Sequence, residues 1–279
     1  MLRNHNHRTR DYLRSDRVIK RKRRRFTRIL LVILFFLILI IGGIIFVVRL
    51  DAFAVKTLKV EGNHDVSADE LITLANEYAT SSWLYFFPRR NIAFYPTGSI
   101  EAELRARYPR FSDVAVYRTS INSVQIEVIE RHPRALWCDS SEQCYTVDDQ
   151  GFIYAPYVSA SSTTADLIRF SGGAQDATNP IGTNINSSST FSDITLLLQG
   201  MKERGLTPEH VVIRNNHEFS VKVNPGGDVI FSDIRPLNES LSNLSAALQS
   251  AAFKATSSPQ TFEYIDTRFG NKIFFKLQK

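Results

Sequence analysis

The sequence is poor in the residues that build cross-linked or reactive sites. Two cysteines, Cys138 and Cys144, among 279 residues exclude a disulfide-rich scaffold and are too few for a four-thiolate zinc site. The six histidines, His5, His7, His64, His132, His210 and His217, are scattered without the spacing of metal ligands. No Gly-x-Ser-x-Gly, Ser-x-x-Lys, Gly-x-Gly-x-x-Gly or His-Glu-x-x-His occurs. These absences remove the local signatures of hydrolase, dinucleotide and metalloprotease chemistry, so the expectation is a protein that is not an enzyme and holds no cofactor or metal.

Charge is missing altogether from Ile29 to Val48, a run of Leu, Ile, Phe, Val and two Gly. At about 1.5 Å per residue such a helix reaches about 30 Å, the thickness of a hydrocarbon core. It is apolar all round, whereas the core helix of a soluble protein has a polar stripe. Acidic residues are scarce before it. Residues 1–28 hold twelve Lys or Arg, including the unbroken run Lys20 to Arg25, against only Asp11 and Asp16. That segment is +10 in a chain of net +6, which leaves −4 for residues 29–279. The basic side of a membrane helix stays in the cytoplasm, so the expected layout is a cytoplasmic tail over 1–28, an uncleaved signal anchor over 29–48 and an exported remainder. The tail's charge is assigned to topology and anionic lipid rather than to nucleic acid.

Past the anchor, Val55 to Val60 alternates as a strand and Glu61-Gly62-Asn63 turns the chain. Ser67 and Glu70 have the spacing of a capping box, with Val66 and Leu71 at its staple positions. Leu71, Leu74, Ala75 and Tyr78 then share a helical face. An aromatic stretch follows, with Trp83, Tyr85, Phe86, Phe87, Phe94 and Tyr95. A second helix is expected over 99–108, stopped by Pro109, and then strands over 113–118 and 123–130, the latter alternating with Val124, Ile126 and Val128 inward. Strand, helix, helix, strand, strand describes a small α+β domain.

From Pro133 the strands shorten. Trp137-Cys138 and Cys144 to Asp148 flank a polar turn, and Gly151 to Tyr154 follows. Residues 171–190, rich in Ser, Thr, Asn and Gly, read as a mobile surface loop. Helices are expected around Phe191 to Met201 and Leu237 to Leu248, and strands over 211–214, 219–223 and 228–231. The chain closes on two strands, 261–268 and 272–277, joined by Phe269-Gly270-Asn271 as a hairpin. For Cys138 and Cys144 the expectation is a cross-strand disulfide, with two free buried thiols as the alternative. Their Cys-x5-Cys spacing does not suit a thiol-redox motif.

Four segments, in this order, together resemble the FtsQ/DivIB family of bacterial cell-division proteins. They are Val60-Glu-Gly-Asn63 with Val66-Ser67, Glu130-Arg-His-Pro133-Arg-Ala135-Leu-Trp137, Tyr145-Thr-Val-Asp148-x-x-Gly151, and Tyr264-Ile-Asp266-Thr-Arg268-Phe269. The resemblance implies a single transmembrane helix plus α+β architecture. A POTRA domain (β-α-α-β-β) would span 53–132, and a mixed, mainly β domain with two helices would span 133–279. It implies a non-enzymatic scaffold in the cytoplasmic membrane, enriched at the septum, that recruits single-pass FtsB/DivIC- and FtsL-type partners and so regulates septal peptidoglycan synthesis. Partner binding by strand addition at the C-terminal edge would fall on Asp266, Arg268, Phe269, Ile273 and Phe275, with no nucleic acid and no small-molecule substrate. Two other readings stand beside it: a POTRA-containing export or assembly chaperone module, and a membrane-anchored cell-wall enzyme.

Overall fold

The computed structural model of the chain describes residues 16–80, 89–158, 167–186, 188–215, 217–254 and 262–278. The aromatic residues Trp83, Tyr85, Phe86 and Phe87 lie outside the described residues, as do His5 and His7. Helix α1 (Asp16–Val48) is the first described element. Its segment Arg21–Val48, with a mean hydropathy of 3.5, is long and apolar enough to cross a membrane. Large apolar side chains are exposed along it from Phe26 to Val47, so the protein itself buries none of this surface. Among the described residues, the architecture is therefore a single N-terminal apolar helix followed by mixed α+β structure.

After a 3-10 turn at Asp51–Phe53 come β1 (Thr57–Glu61), α2 (Ala68–Thr80), α3 (Thr97–Arg107), β2 (Phe111–Ser120) and β3 (Ser123–Glu130). The three strands form a sheet in the order β1-β3-β2. The alternation read from the sequence sets its faces: Val124, Ile126 and Val128 are buried. Helix α2 buries Leu71, Leu74, Ala75 and Ala79, spaced three and four apart. Pro109 stands two residues beyond the end of α3. The strand pair turns on Ile121 and Asn122 alone, and so extends past the limits expected from sequence.

The remainder is β4 (Ala135–Cys138), β5 (Cys144–Val147), β6 (Ile153–Pro156), β7 (Ile168–Ser171), α4 (Ser188–Lys202), β8 (Thr207–Asn215), β9 (Glu218–Asn224), β10 (Asp228–Ser232), α5 (Leu237–Gln249), α6 (Ala251–Lys254), β11 (Phe262–Phe269) and β12 (Lys272–Leu277). Nine strands make one sheet in the order β12-β11-β10-β9-β8-β7-β4-β5-β6. The pairs β4/β7, β7/β8 and β10/β11 are parallel. Parallel neighbours need a crossover, and α4 and α5 lie in the connections of the last two. The pairing register explains how the sheet gets one dry face and one wet face. Phe170, Val211, Val221, Val229, Ile265 and Phe275 face one another rung by rung from β7 to β12, and all belong to or border the hydrophobic core. One residue away the rungs read Arg169, His210, Lys222, Asp228, Tyr264 and Lys276.

Compactness divides the chain into two units: residues 1–60 with 68–100 and 116–126, and residues 61–67 with 101–115 and 127–279. In the first unit the end of α1 is tied down by a side chain far along the sequence. Asn91 is buried; its Nδ2 donates to the Val48 carbonyl at 2.7 Å and its Oδ1 accepts from the Ala93 N–H at 2.8 Å. The Val55 and Ile92 amides donate to the Arg90 and Phe53 carbonyls. In the second unit, Gly62 has φ +84°, and a Cβ there would lie 2.0 Å from the Val128 carbonyl oxygen, so no other residue fits. The next amides, of His64, Asp65 and Val66, all donate to the buried Glu130 carboxylate at 2.8 to 3.3 Å.

Two differences from the sequence reading have physical causes. The segment expected to be a loose surface loop is partly built in: Ile185 is fully buried, and the Gly182 and Ile185 amides donate to the Ile153 and Gly151 carbonyls. Its polar composition hid a single anchoring isoleucine. Strand β7 had not been expected, because four residues with one buried aromatic, Phe170, are too few to show a period.

The Glu130 carboxylate generates the first prediction. Glu130→Ala should lower the unfolding free energy by about 2 kcal/mol, since it removes the shared acceptor of three part-buried amides. Glu61→Ala, exposed on β1, should change it by less than about 0.5 kcal/mol. Urea unfolding of the full chain in detergent checks both; equal stabilities would remove the role assigned to Glu130.

Candidate partner-binding edge

Strand β12 is the outermost strand at one end of the large sheet and pairs only with β11 among the described residues. Alternate residues of such a strand aim their N–H and C=O groups away from the sheet. The opposite edge is treated differently. Strand β6 ends on Pro156, which has no N–H, and its outer side is hydrogen-bonded by the 182–184 segment: Ile153 donates to the Thr183 carbonyl at 2.9 Å and accepts from Gly182 at 2.8 Å. One end of the sheet is closed by the chain itself; among the described residues the other is open.

The hairpin that carries the open edge is held firmly. Gly270, in the left-handed region at φ +67°, makes the two-residue turn, and its carbonyl accepts from Asn243 Nδ2 of α5 at 3.0 Å. Thr267 Oγ1 donates to the Ile230 carbonyl of β10 at 2.8 Å. The Arg268 guanidinium donates to both carboxylate oxygens of Asp266, at 3.0 and 2.7 Å, and to Glu218 Oε1 at 2.8 Å. Asp266 is only 6 % exposed. Burial by itself would raise its pKa, but the hydrogen bonds and charge of Arg268 outweigh this and hold the carboxyl below its ordinary value. The hydrogen bond to Asp266 in turn raises Arg268, so the pair is ionised at neutral pH.

Side chains of β12 alternate between two environments. Ile273, Phe275 and Leu277 are half-buried and pack against the core, with the Phe275 ring 5.4 Å from that of Phe253. Lys272, Phe274 and Lys276 are exposed. Phe274 is 52 % exposed and Phe269 is 54 % exposed; their rings meet edge to face at 5.3 Å. Lys276 pairs with Glu263 of β11 at 2.6 Å.

Of the residues expected from sequence to bind a partner, the structure places all five on this hairpin, in three different settings. Phe269 is presented to solvent, Asp266 and Arg268 form a buttressing ion pair, and Ile273 and Phe275 lie at the rim of the core. Phe274 and Glu218 were not anticipated. Phe274 was legible, since placing Ile273 and Phe275 on one face sends Phe274 to the other with Lys272 and Lys276. Glu218 was not, being 50 residues from Arg268. Cys138 and Cys144 are directly opposite each other on β4 and β5 and are joined by a disulfide, five strands away from the hairpin. Among the described residues no group of three or more His, Cys, Asp or Glu could hold a metal ion.

The two settings predict different outcomes for neighbouring phenylalanines. Phe275→Ala should cost about 2 kcal/mol of folding stability, part of the loss for a fully buried phenylalanine. Phe274→Thr should change stability by less than about 0.5 kcal/mol. Thermal unfolding of both variants checks this, and equal losses would contradict the face assignment. No family model matches the chain, and no curated protein matches it.

Proposed function

We propose that the chain is a non-enzymatic, membrane-anchored scaffold of the FtsQ/DivIB type. It recruits FtsB/DivIC- and FtsL-type single-pass partners by strand addition at β12 and thereby regulates septal peptidoglycan synthesis. The observation that carries the reading is the open, buttressed edge at β12 beside a β6 edge that the chain closes for itself. Two further features support it. The order β1-α2-α3-β2-β3 with the sheet order β1-β3-β2 suits a POTRA domain over 53–132. The basic segment before the apolar helix suits an N-terminus in the cytoplasm and domains outside, by the positive-inside rule.

Strand addition also defines what the partner presents. Backbone hydrogen bonds along β12 give affinity, and side chains opposite its residues give selectivity. Opposite Lys272 and Lys276 a carboxylate is favoured, and opposite Ile273, Phe274 and Phe275 an apolar side chain. A partner strand with acidic ends and an apolar middle fits; one with lysines at its ends is repelled.

Two measurements test the reading. A fluorescent fusion of the full chain should form a midcell band in dividing cells, and a uniform envelope signal would favour the export-module and wall-enzyme readings. Phe269→Ala with Phe274→Thr should reduce co-purification of the partner pair at least about tenfold, a change of roughly 1.4 kcal/mol, without loss of membrane insertion. Undiminished co-purification by the folded double variant would move the docking surface elsewhere.

A further inference from the structure

The wet face of the large sheet carries a cavity of about 730 Å³, within the range of roughly 300–1,000 Å³ usual for small-molecule sites. Its floor is a row of basic side chains in register on three adjacent strands: Arg169 of β7, His210 of β8 and Lys222 of β9. With neighbouring strands about 4.8 Å apart, Arg169 and Lys222 stand two strands apart on either side of His210, whose pKa is lowered by burial and by the two cations. Arg169 and Lys222 are exposed, and neither forms an ion pair among the described residues, although Asp228 of β10 is in register with Lys222. Between them, His210 Nε2 shares a hydrogen bond with Ser171 Oγ at 3.0 Å.

Acidic groups stand at the side of this floor. The β4–β5 hairpin contributes Asp139 and Glu142, and β8 contributes Glu209. Two of the three are already engaged. Asp139 Oδ1 accepts the Ser141 and Gln143 amides at 2.8 and 3.0 Å, and Glu209 accepts from Asn224 Nδ2 at 3.0 Å. The Glu142 carboxylate is exposed and has no hydrogen-bond or ion-pair partner among the described residues. Its backbone is in the left-handed region at φ +61°, which a side-chain-bearing residue rarely adopts. The Asp139 turn and the Cys138–Cys144 link at the base of the hairpin hold it there. The cavity is thus lined by two cations, Arg169 and Lys222, and three carboxylates, of which Glu142 alone has no hydrogen-bond donor among the described residues.

We propose that this cavity binds the free ends of a short zwitterionic peptide, its carboxylate on Arg169 and Lys222 and its ammonium on Glu142. A carboxylate matches the planar guanidinium fork of Arg169 and accepts from the Lys222 ammonium. A simple anion would leave Glu142 unpaired, and a simple cation would leave the floor unpaired. Ser171 and His210, between the charged ends, offer hydrogen bonds to peptide groups of the ligand. The site is independent of β12, which lies four strands beyond β8 in the sheet.

Calorimetric titration of the full chain in nanodiscs with tri-alanine, N-acetyl-tri-alanine, tri-alanine amide and inorganic phosphate tests the proposal. Tri-alanine should bind, and either blocked form should bind at least about tenfold more weakly. Arg169→Gln with Lys222→Gln should weaken tri-alanine at least about tenfold with an unchanged thermal transition. Glu142→Gln should abolish the preference for tri-alanine over its N-acetyl form. No binding of tri-alanine at about 10 mM, equal binding of all three peptides, or competition by phosphate as strong as by tri-alanine would each overturn it.

Discussion

Every open sheet has two outer strands whose backbone donors and acceptors lack a neighbour, and each must be covered, guarded or used. In the nine-stranded sheet the β6 end is covered, by a proline and by the backbone of residues 182–184. The β12 end is guarded instead. Lys272 and Lys276 bracket Phe274 on its exposed face, and edge lysines discourage indiscriminate pairing with other strands. The same lysines favour a strand that carries carboxylates. An edge of this kind rejects most neighbours and selects one class of them, which is what a recruiting surface requires.

Recognition by strand addition also needs an edge that does not rearrange on binding. The β11–β12 hairpin meets that need through contacts from behind. Arg268 locks Asp266 and Glu218, Thr267 reaches β10, Asn243 holds the turn, and Phe275 packs against Phe253. The last row of the core runs from Phe170 through Val229 to Phe275, so the edge is continuous with the hydrophobic interior. At the other end of the chain, Asn91 satisfies the Val48 carbonyl at the end of α1. That carbonyl is one of the orphans every helix terminus leaves. The apolar helix is thereby joined to its own unit by a specific hydrogen bond as well as by the chain.

How much of this was legible in the sequence depended on the range of the interaction concerned. The apolar helix, the period of α2, the alternation of β3 and the closing hairpin are local patterns, and the structure shows each of them close to where those patterns put it. Ile185 and β7 were missed because one or two buried residues in a polar stretch make no period. On the proposed docking edge, the five residues singled out do gather on one hairpin. Their division into core-facing, buttressing and exposed roles needed the register between β11 and β12 and the contact with Glu218, which no local pattern encodes. The row of Arg169, His210 and Lys222 was equally hidden, because each residue sits in a different strand and only the sheet order aligns them.

The claim at the centre of this account is that β12 gains a strand when the partners bind. Amide hydrogen exchange of the full chain, with and without the partner pair, reads that event directly. Outward-facing amides within 272–277 exchange freely in an open edge and become hydrogen-bonded in an augmented one. The account predicts strong new protection confined to β12. Protection centred on α4 and α5, with exchange in β12 unchanged, would contradict it.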